Sequence, residues 1–177
     1  MAKISYANLK LKVDNKISTF KFNDTEIEVY NYLSAEDKYE LVMLTLQKAR
    51  EGKIYNPIKL DVYFHLHLIY MCTNLSFTDK HREDELKIYD TLKSNGFIEA
   101  FLNAYSTEEY NDLLKFIDDE IEAEMRYNLS ASGILSQFIV DLPKNAEAMQ
   151  DILNNFDKNK FQEVIKFAQA ANGGRPI

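Results

Sequence analysis

The hydrophobic period of the chain changes within residues 17–37, ISTFKFNDTEIEVYNYLSAED. Up to Val29, apolar and polar residues alternate, which is the period of a β-strand. From Leu33 onward, apolar residues recur every three or four positions, which is the period of an α-helix. The order predicts a small sheet followed by a larger helical body, so the expected fold class is α+β and mainly α.

The alternating segment predicts a three-stranded antiparallel meander over residues 7–30. Two-residue turns at Asp14-Asn15 and Asn23-Asp24 would connect the strands, because these residue types tolerate positive φ. In the second hairpin Phe22 pairs with Thr25, Phe20 with Ile27 and Ser18 with Val29. A shift of the pairing by one residue would move every side chain of a strand to the opposite face of the sheet. The register that places the apolar residues on one face is therefore favoured. That face consists of Leu9, Leu11, Val13, Phe20, Phe22, Ile27 and Val29.

A compact bundle of about six to eight helices is predicted after the sheet. Its centre is the helix that starts at Asn56-Pro57, because residues 58–71 are apolar on most sides and need neighbours all round. Before this central helix, Ser34 caps a predicted helix whose apolar stripe is Tyr39, Val42, Met43 and Leu46.

After it, a charged helix is predicted from Asp79, with Leu86, Tyr89 and Leu92 directed inward, and a short helix is predicted around Phe97. A long helix follows, opened by a capping box of Ser106 with Glu109. Beyond a break at Ser130–Gly133, another helix is predicted with Ile134 and Leu135 in its apolar stripe, and two more start at Pro143 and Asp157.

The length of 177 residues is expected for one domain with a real core. We therefore predict a single domain over residues 1–177. It comprises a small β-sheet at 7–30, a helical body at 34–171 and a flexible tail at 172–177.

Charge and composition narrow the class of function. The formal net charge is −7, and no helix carries a basic stripe, so direct nucleic-acid binding is not expected. No apolar run is long enough to span a bilayer, and the N-terminus lacks the apolar core of a signal peptide. The single cysteine, Cys72, fits a reducing cytosol. We expect an intracellular protein that does not engage a membrane.

No residue pattern predicts catalysis, a metal or a cofactor. His65 and His67 lie two positions apart, which places them about 200° around a helix axis and prevents both from binding one metal. Cys72 stands among apolar neighbours, which favours a buried thiol over a nucleophile. We expect a protein that is not an enzyme and uses no cofactor, although these residues and the carboxylates leave a small enzyme as a third alternative.

An acidic run extends from Glu108 to Glu124, where eight carboxylates accompany one lysine, Lys115. The ordinary interpretation is the solvated face of an amphipathic helix. A paired-carboxylate site and a surface that imitates nucleic acid are the alternatives. If the run binds a basic partner, the candidate residues are Asp118, Asp119 and Glu122.

Four segments between residues 17 and 100 carry a resemblance: FNDTEIEVYNYLSAEDK from Phe22, NPIKLDV from Asn56, YMCTNLSFTDK from Tyr70 and YDTLKSNGF from Tyr89. They resemble segments of small acidic proteins of Gram-positive bacterial phages. The order of hairpin and helices is also similar to that of tail-assembly chaperones. The resemblance implies a non-enzymatic phage assembly or structural protein, most similar to proteins of virion morphogenesis, and it carries no active site.

Two functional hypotheses follow. In the first, the chain binds another phage structural protein, a tail or capsid component, and resides in the host-cell cytoplasm or the virion. In the second, it is a counter-defence or host-takeover inhibitor that binds a host enzyme through the acidic helical surface. In either role the chain could also form a homo-oligomer.

Overall fold

The computed structural model describes residues 3–13 and 15–141. The chain divides into two compact units, Met1–Asp118 and Asp119–Ile177. The predicted helices at Pro143 and Asp157 and the predicted tail at 172–177 lie outside the described residues. The single-domain organisation over 1–177 stays a prediction.

The described residues are mainly helical, with two small antiparallel sheets, which confirms the α+β class at this level. The strands are β1 (Ile17–Phe22), β2 (Thr25–Tyr30), β3 (Arg50–Glu51) and β4 (Ile54–Tyr55). The helices are α1 (Ala35–Ala49), α2 (Pro57–Cys72), α3 (Asp79–Arg82), α4 (Glu85–Ser94), α5 (Phe97–Ala104), α6 (Thr107–Leu129) and α7 (Ala131–Asp141). A single 3₁₀ turn, Tyr6–Leu9, precedes them.

Strands β1 and β2 form a hairpin in the predicted register. Phe22 lies opposite Thr25, Phe20 opposite Ile27 and Ser18 opposite Val29. The turn residues Asn23 and Asp24 have φ of +46° and +63°, as a two-residue hairpin turn with both central residues in the left-handed region requires. Ile27 and Val29 of β2 are buried on the inner face of the hairpin.

The predicted first strand of the meander is wrong. Residues 6–9 form the 3₁₀ turn, and Lys10 has φ of +49°, which interrupts an extended strand. Leu9, Leu11 and Val13 are 53, 66 and 72% exposed, so they do not join the apolar face of the hairpin. The sheet at this end of the chain therefore has two strands among the described residues.

Helix α1 begins as predicted but buries a different face. The Ser34 hydroxyl accepts a hydrogen bond from the Asp37 amide, which caps the helix. Val42 and Leu46 are buried, whereas Tyr39 and Met43 are exposed. Leu41, Thr45 and Ala49 take their place in the core. The predicted stripe omits Thr45 because threonine is polar. In the structure Thr45 is buried, and its hydroxyl group is hydrogen-bonded to His67 of α2.

Helix α2 lies at the centre of the Met1–Asp118 unit, as predicted. Pro57 is its first residue, and the Asn56 side chain accepts hydrogen bonds from the amides of Ile58 and Lys59. Its packing partners include α1 and α4. Its buried residues point to most sides of the axis: Val62, Phe64, His65, Leu66, His67, Leu68, Ile69 and Cys72. Tyr63 and Tyr70 on one side are half-buried, and Ile58 at its start is exposed, contrary to its predicted burial.

The charged segment from Asp79 forms two helices, α3 and α4, rather than one. The carboxylate of Asp84 accepts a hydrogen bond from the Lys87 amide and caps the N-terminus of α4, so a second helix begins there. Leu86 is 51% exposed, so its predicted inward position is wrong, while Tyr89 and Leu92 are half-buried. The short α5 buries Phe97, Ile98 and Phe101.

The predicted break after α6 is present, and one of the two hydrogen bonds of its predicted capping box is found among the described residues. The Ser106 hydroxyl accepts a hydrogen bond from the Glu109 amide, and the Glu109 carboxylate pairs with Lys38 at 2.7 Å. Helix α6 ends at Leu129 and α7 begins at Ala131. A side chain at Gly133 would meet the Tyr127 carbonyl group, which explains the glycine there. Ile134 and Leu135 are exposed, contrary to their predicted place in an apolar stripe.

The Asn56 cap yields a prediction of stability. Asn56→Ala removes the acceptor for two amides at the start of α2 and should lower the free energy of unfolding by about 1 kcal/mol. Urea unfolding followed by circular dichroism measures this change. The matched control is Asn103→Ala on the exposed side of α5, which should stay within about 0.5 kcal/mol of the wild type. Equal stability of Asn56→Ala and the control would contradict the capping role.

Candidate functional site

An open groove of about 830 Å³ lies between the β1–β2 hairpin and the segment from Leu75 to Leu92. We call it the hairpin groove. Residues 22–27 form one wall, the connection 75–77 forms its end, and α3 and α4 form the other wall. Its floor is apolar and is made of Phe22, Ile27, Leu75, Phe77, Ile88, Leu92 and Phe97.

Aromatic contacts and one short β-bridge position the walls. The Phe97 ring lies 5.5 Å from the Phe20 ring and 5.0 Å from the Phe22 ring between centroids, which fixes the hairpin over the start of α5. Phe77 packs edge-on against Tyr70 of α2, with 4.7 Å between ring centroids. Ile27 and Phe97 are buried, whereas the other five floor residues remain half-buried. The groove therefore leaves apolar surface in contact with solvent.

The outer edge of β2 is only partly covered. Val29 forms an antiparallel bridge with Thr73, and Glu28 exchanges hydrogen bonds with Asn74, through the Asn74 side-chain oxygen and backbone amide. Because backbone groups alternate along a strand, the amide and carbonyl of Glu26 point to the same side as those of Glu28. Within residues 3–13 and 15–141 they have no hydrogen-bond partner on that side. A short free strand edge thus borders the groove.

The charges at the rim of the hairpin groove are unequal. Lys80 and Lys87 are exposed and form no ion pair with any described residue. The one carboxylate in the lining, Asp84, caps α4 by accepting from the Lys87 amide. The positive end of the helix dipole offsets its charge. The described lining therefore carries two lysines against one carboxylate, although the chain as a whole carries −7.

The two histidines of α2 have separate environments, as their spacing predicts. His65 Nδ1 donates to the Asp61 carbonyl at 2.8 Å, because a carbonyl oxygen can only accept. Its Nε2 is then the acceptor for the Tyr110 hydroxyl at 3.3 Å. The Tyr89 hydroxyl donates to the Asp61 carboxylate at 2.6 Å and completes a polar network between α2, α4 and α6.

His67 lies on another side of α2, beside the rings of Tyr63 and Tyr70. Its Nδ1 shares a hydrogen bond of 3.0 Å with the Thr45 hydroxyl. Burial lowers the pKa of His67 to about 4, with the nearby cations Lys48 and Arg82 acting in the same direction and Glu85 opposing them. The ring is neutral at physiological pH and acts as a satisfied core group.

Cys72 is fully buried at the end of α2. Its thiol lies 3.7 Å from the Tyr105 hydroxyl, and burial raises the pKa of the thiol to about 12. A reactive cysteine needs a stabilised thiolate and access for its substrate. In this setting the thiol serves packing.

In the part of the chain that the structure describes, no three His, Cys, Asp or Glu side chains converge as a metal site would require. None of the described helices combines the length and the apolar character needed to span a bilayer.

The predicted acidic residues of α6 are all exposed. Asp118 and Asp119 have no cationic partner among the described residues, and the Glu122 carboxylate pairs with Arg126 at 2.5 Å. None of the three lines the hairpin groove. Their role in binding a partner stays a prediction.

Sequence reasoning did not find the hairpin groove. Its walls come from residues 22–27, 75–77 and 80–92, which approach one another only through tertiary packing. One signal was present, because Leu75 and Phe77 are large apolar residues in a short connection between helices. Apolar residues in a connection indicate either a packing contact or a surface that binds something.

The depressed pKa of His67 predicts a loss of stability in acid. Between pH 6.5 and 4 the unfolded chain binds a proton at this residue and the folded chain does not, so unfolding becomes easier as the pH falls. The contribution is intact above pH 6.5, and about 3 kcal/mol of it should be lost by pH 4. Chemical unfolding at half-unit pH steps measures the slope.

His67→Gln should flatten this slope, because the amide keeps a polar atom for Thr45 without titrating. The control is His81→Gln, which removes an exposed histidine and should leave the slope unchanged. The same pH dependence in His67→Gln as in the wild type would show that His67 does not cause the acid loss.

Comparisons of the chain with protein-family models, with curated proteins and with solved structures found no match.

Proposed function

We propose that this chain is a phage assembly or structural protein that acts by binding another phage protein, in the manner of a tail-assembly chaperone. Its partner would be a tail or capsid component, met in the host-cell cytoplasm or in the virion. The phage-like segments between residues 17 and 100 suggest this origin. The hairpin groove is the observation that carries the binding role.

The groove supports protein binding because it combines solvent-exposed apolar surface with a free strand edge. Its half-buried residues Phe77, Ile88 and Leu92 gain burial only if something covers them. Unpaired strand edges beside apolar pockets are a common way for proteins to bind extended segments of other proteins.

The polar residues of the core favour binding over catalysis. Cys72 is buried as a protonated thiol, and His67 is neutral and bonded to Thr45. His65 is held by Asp61 and Tyr110. Each of these groups already has a structural role, so we propose that the chain is not an enzyme.

The second candidate function is a counter-defence or host-takeover inhibitor. It is favoured by Asp118 and Asp119, which are exposed and have no described cationic partner. In this role α6 would meet a basic surface of a host enzyme. Reversing Asp118, Asp119 and Glu122 to lysine should then abolish the association with that enzyme.

The leading proposal is tested by affinity purification of the tagged chain from phage-infected cells, followed by quantitative mass spectrometry. We expect a protein of the same phage that is also present in its purified virions. Ile88→Asp places a charge in the floor of the hairpin groove and should reduce this protein at least about tenfold, since an unpaired charge would be buried. Leu86→Asp is the matched control on α4, because Leu86 is exposed and does not line the groove.

Thermal unfolding of both variants verifies that they remain folded. Recovery of host proteins alone, and their loss in the α6 charge reversal, would overturn the leading proposal in favour of the inhibitor.

A further inference from the structure

The hairpin groove has features that specify the chemistry of its occupant. Along its floor, five apolar side chains are half-buried: Phe22, Leu75, Phe77, Ile88 and Leu92. An occupant that covers them must present several apolar side chains of its own.

The rim adds a requirement for negative charge. Lys80 and Lys87 stand on the helical wall without an acidic partner among the described residues, whereas Lys48 and Lys93 are paired with Glu85 and Glu99. One oxygen of the Asp84 carboxylate accepts a hydrogen bond from the amide of Lys87, so the described lining carries two lysines against one carboxylate. The exposed Glu26 side chain is a like charge at the strand edge, so carboxylates on the occupant gain where they face Lys80 and Lys87.

The free strand edge indicates that the occupant is an extended chain. The backbone of Glu28 is hydrogen-bonded to Asn74, as it would be to a neighbouring strand. The amide and carbonyl of Glu26 lie on the same edge and have no partner among the described residues. Thr25 and Ile27, which flank Glu26, both line the groove. A strand that pairs with Glu26 would direct alternate side chains toward the apolar floor.

We propose that the hairpin groove binds an extended acidic segment of a partner protein. The segment pairs with the backbone of Glu26, places alternate apolar side chains on the floor, and brings carboxylates to Lys80 and Lys87. The inference rests on the proposed protein-binding function and names the chemistry of the partner at that site.

The test uses fluorescein-labelled ten-residue peptides and fluorescence polarisation with the full chain. The first peptide alternates leucine or valine with glutamate, and the second replaces every glutamate by lysine. We expect the acidic peptide to bind at least about tenfold more tightly than the basic one, by an amount that shrinks as salt is added.

Variants locate the binding. Lys80→Glu combined with Lys87→Glu should weaken the acidic peptide about five- to tenfold, since two favourable rim charges become repulsive. Lys53→Glu is the control, because Lys53 is also exposed and lies outside the groove. A third peptide, methylated at alternate amide nitrogens on the pairing edge, should lose binding because it cannot form strand hydrogen bonds.

Three results would overturn the inference. The first is that the acidic and basic peptides bind equally well. The second is that Lys80→Glu combined with Lys87→Glu leaves the affinity for the acidic peptide unchanged. The third is that no peptide binds, while the chain self-associates and this double variant abolishes the self-association. In the last case a second copy of this chain is the occupant. If the peptides fail while the virion protein still copurifies and Ile88→Asp still removes it, the proposed function stands and only the chemistry of the occupant is wrong.

Discussion

The burial of α2 on most of its sides is the constraint on which the rest of the Met1–Asp118 unit depends. A helix with apolar residues on most sides cannot rest on the surface, so other elements must cover it. Helix α1 packs along it, and the buried hydroxyl of Thr45 is satisfied at that interface by its hydrogen bond to His67. On another side Tyr110 of α6 donates to His65. Since these polar groups are paired inside the core, they specify which neighbours α2 accepts.

The end of α2 determines where the hairpin groove forms. Thr73 leaves the helix and joins the edge of β2 at Val29, so the hairpin is attached directly to the chain that follows the central helix. This attachment to the edge of β2 ends at Asn74, while Phe97 contacts the inner face of the hairpin through Phe20 and Phe22. Between these two supports the connection 75–77 and α4 diverge from the hairpin. An apolar surface and a strand edge are left open there as a direct consequence of how α2 ends.

The sequence predicts those features that several local signals specify together. The β1–β2 hairpin was predicted correctly because the Asn-Asp turn and the alternation in both strands favour one register. The same alternation at Leu9, Leu11 and Val13 misled, because Lys10 adopts a left-handed conformation and the three apolar side chains stay more than half exposed. Thr45 was absent from the predicted stripe of α1, since its burial depends on a histidine 22 residues further along. The hairpin groove could not be predicted, because its walls are separate segments that only the tertiary structure brings together.

We propose that the partner protein binds in the hairpin groove. Hydrogen–deuterium exchange of the full chain, alone and in the complex with its copurified partner, shows whether the groove is covered. The amide of Glu26 and those of residues 75–77 should exchange more slowly in the complex, because the partner covers the edge and the end of the groove. Protection confined to the exposed segment 3–13 or to the acidic residues of α6, with Glu26 unchanged, would contradict it.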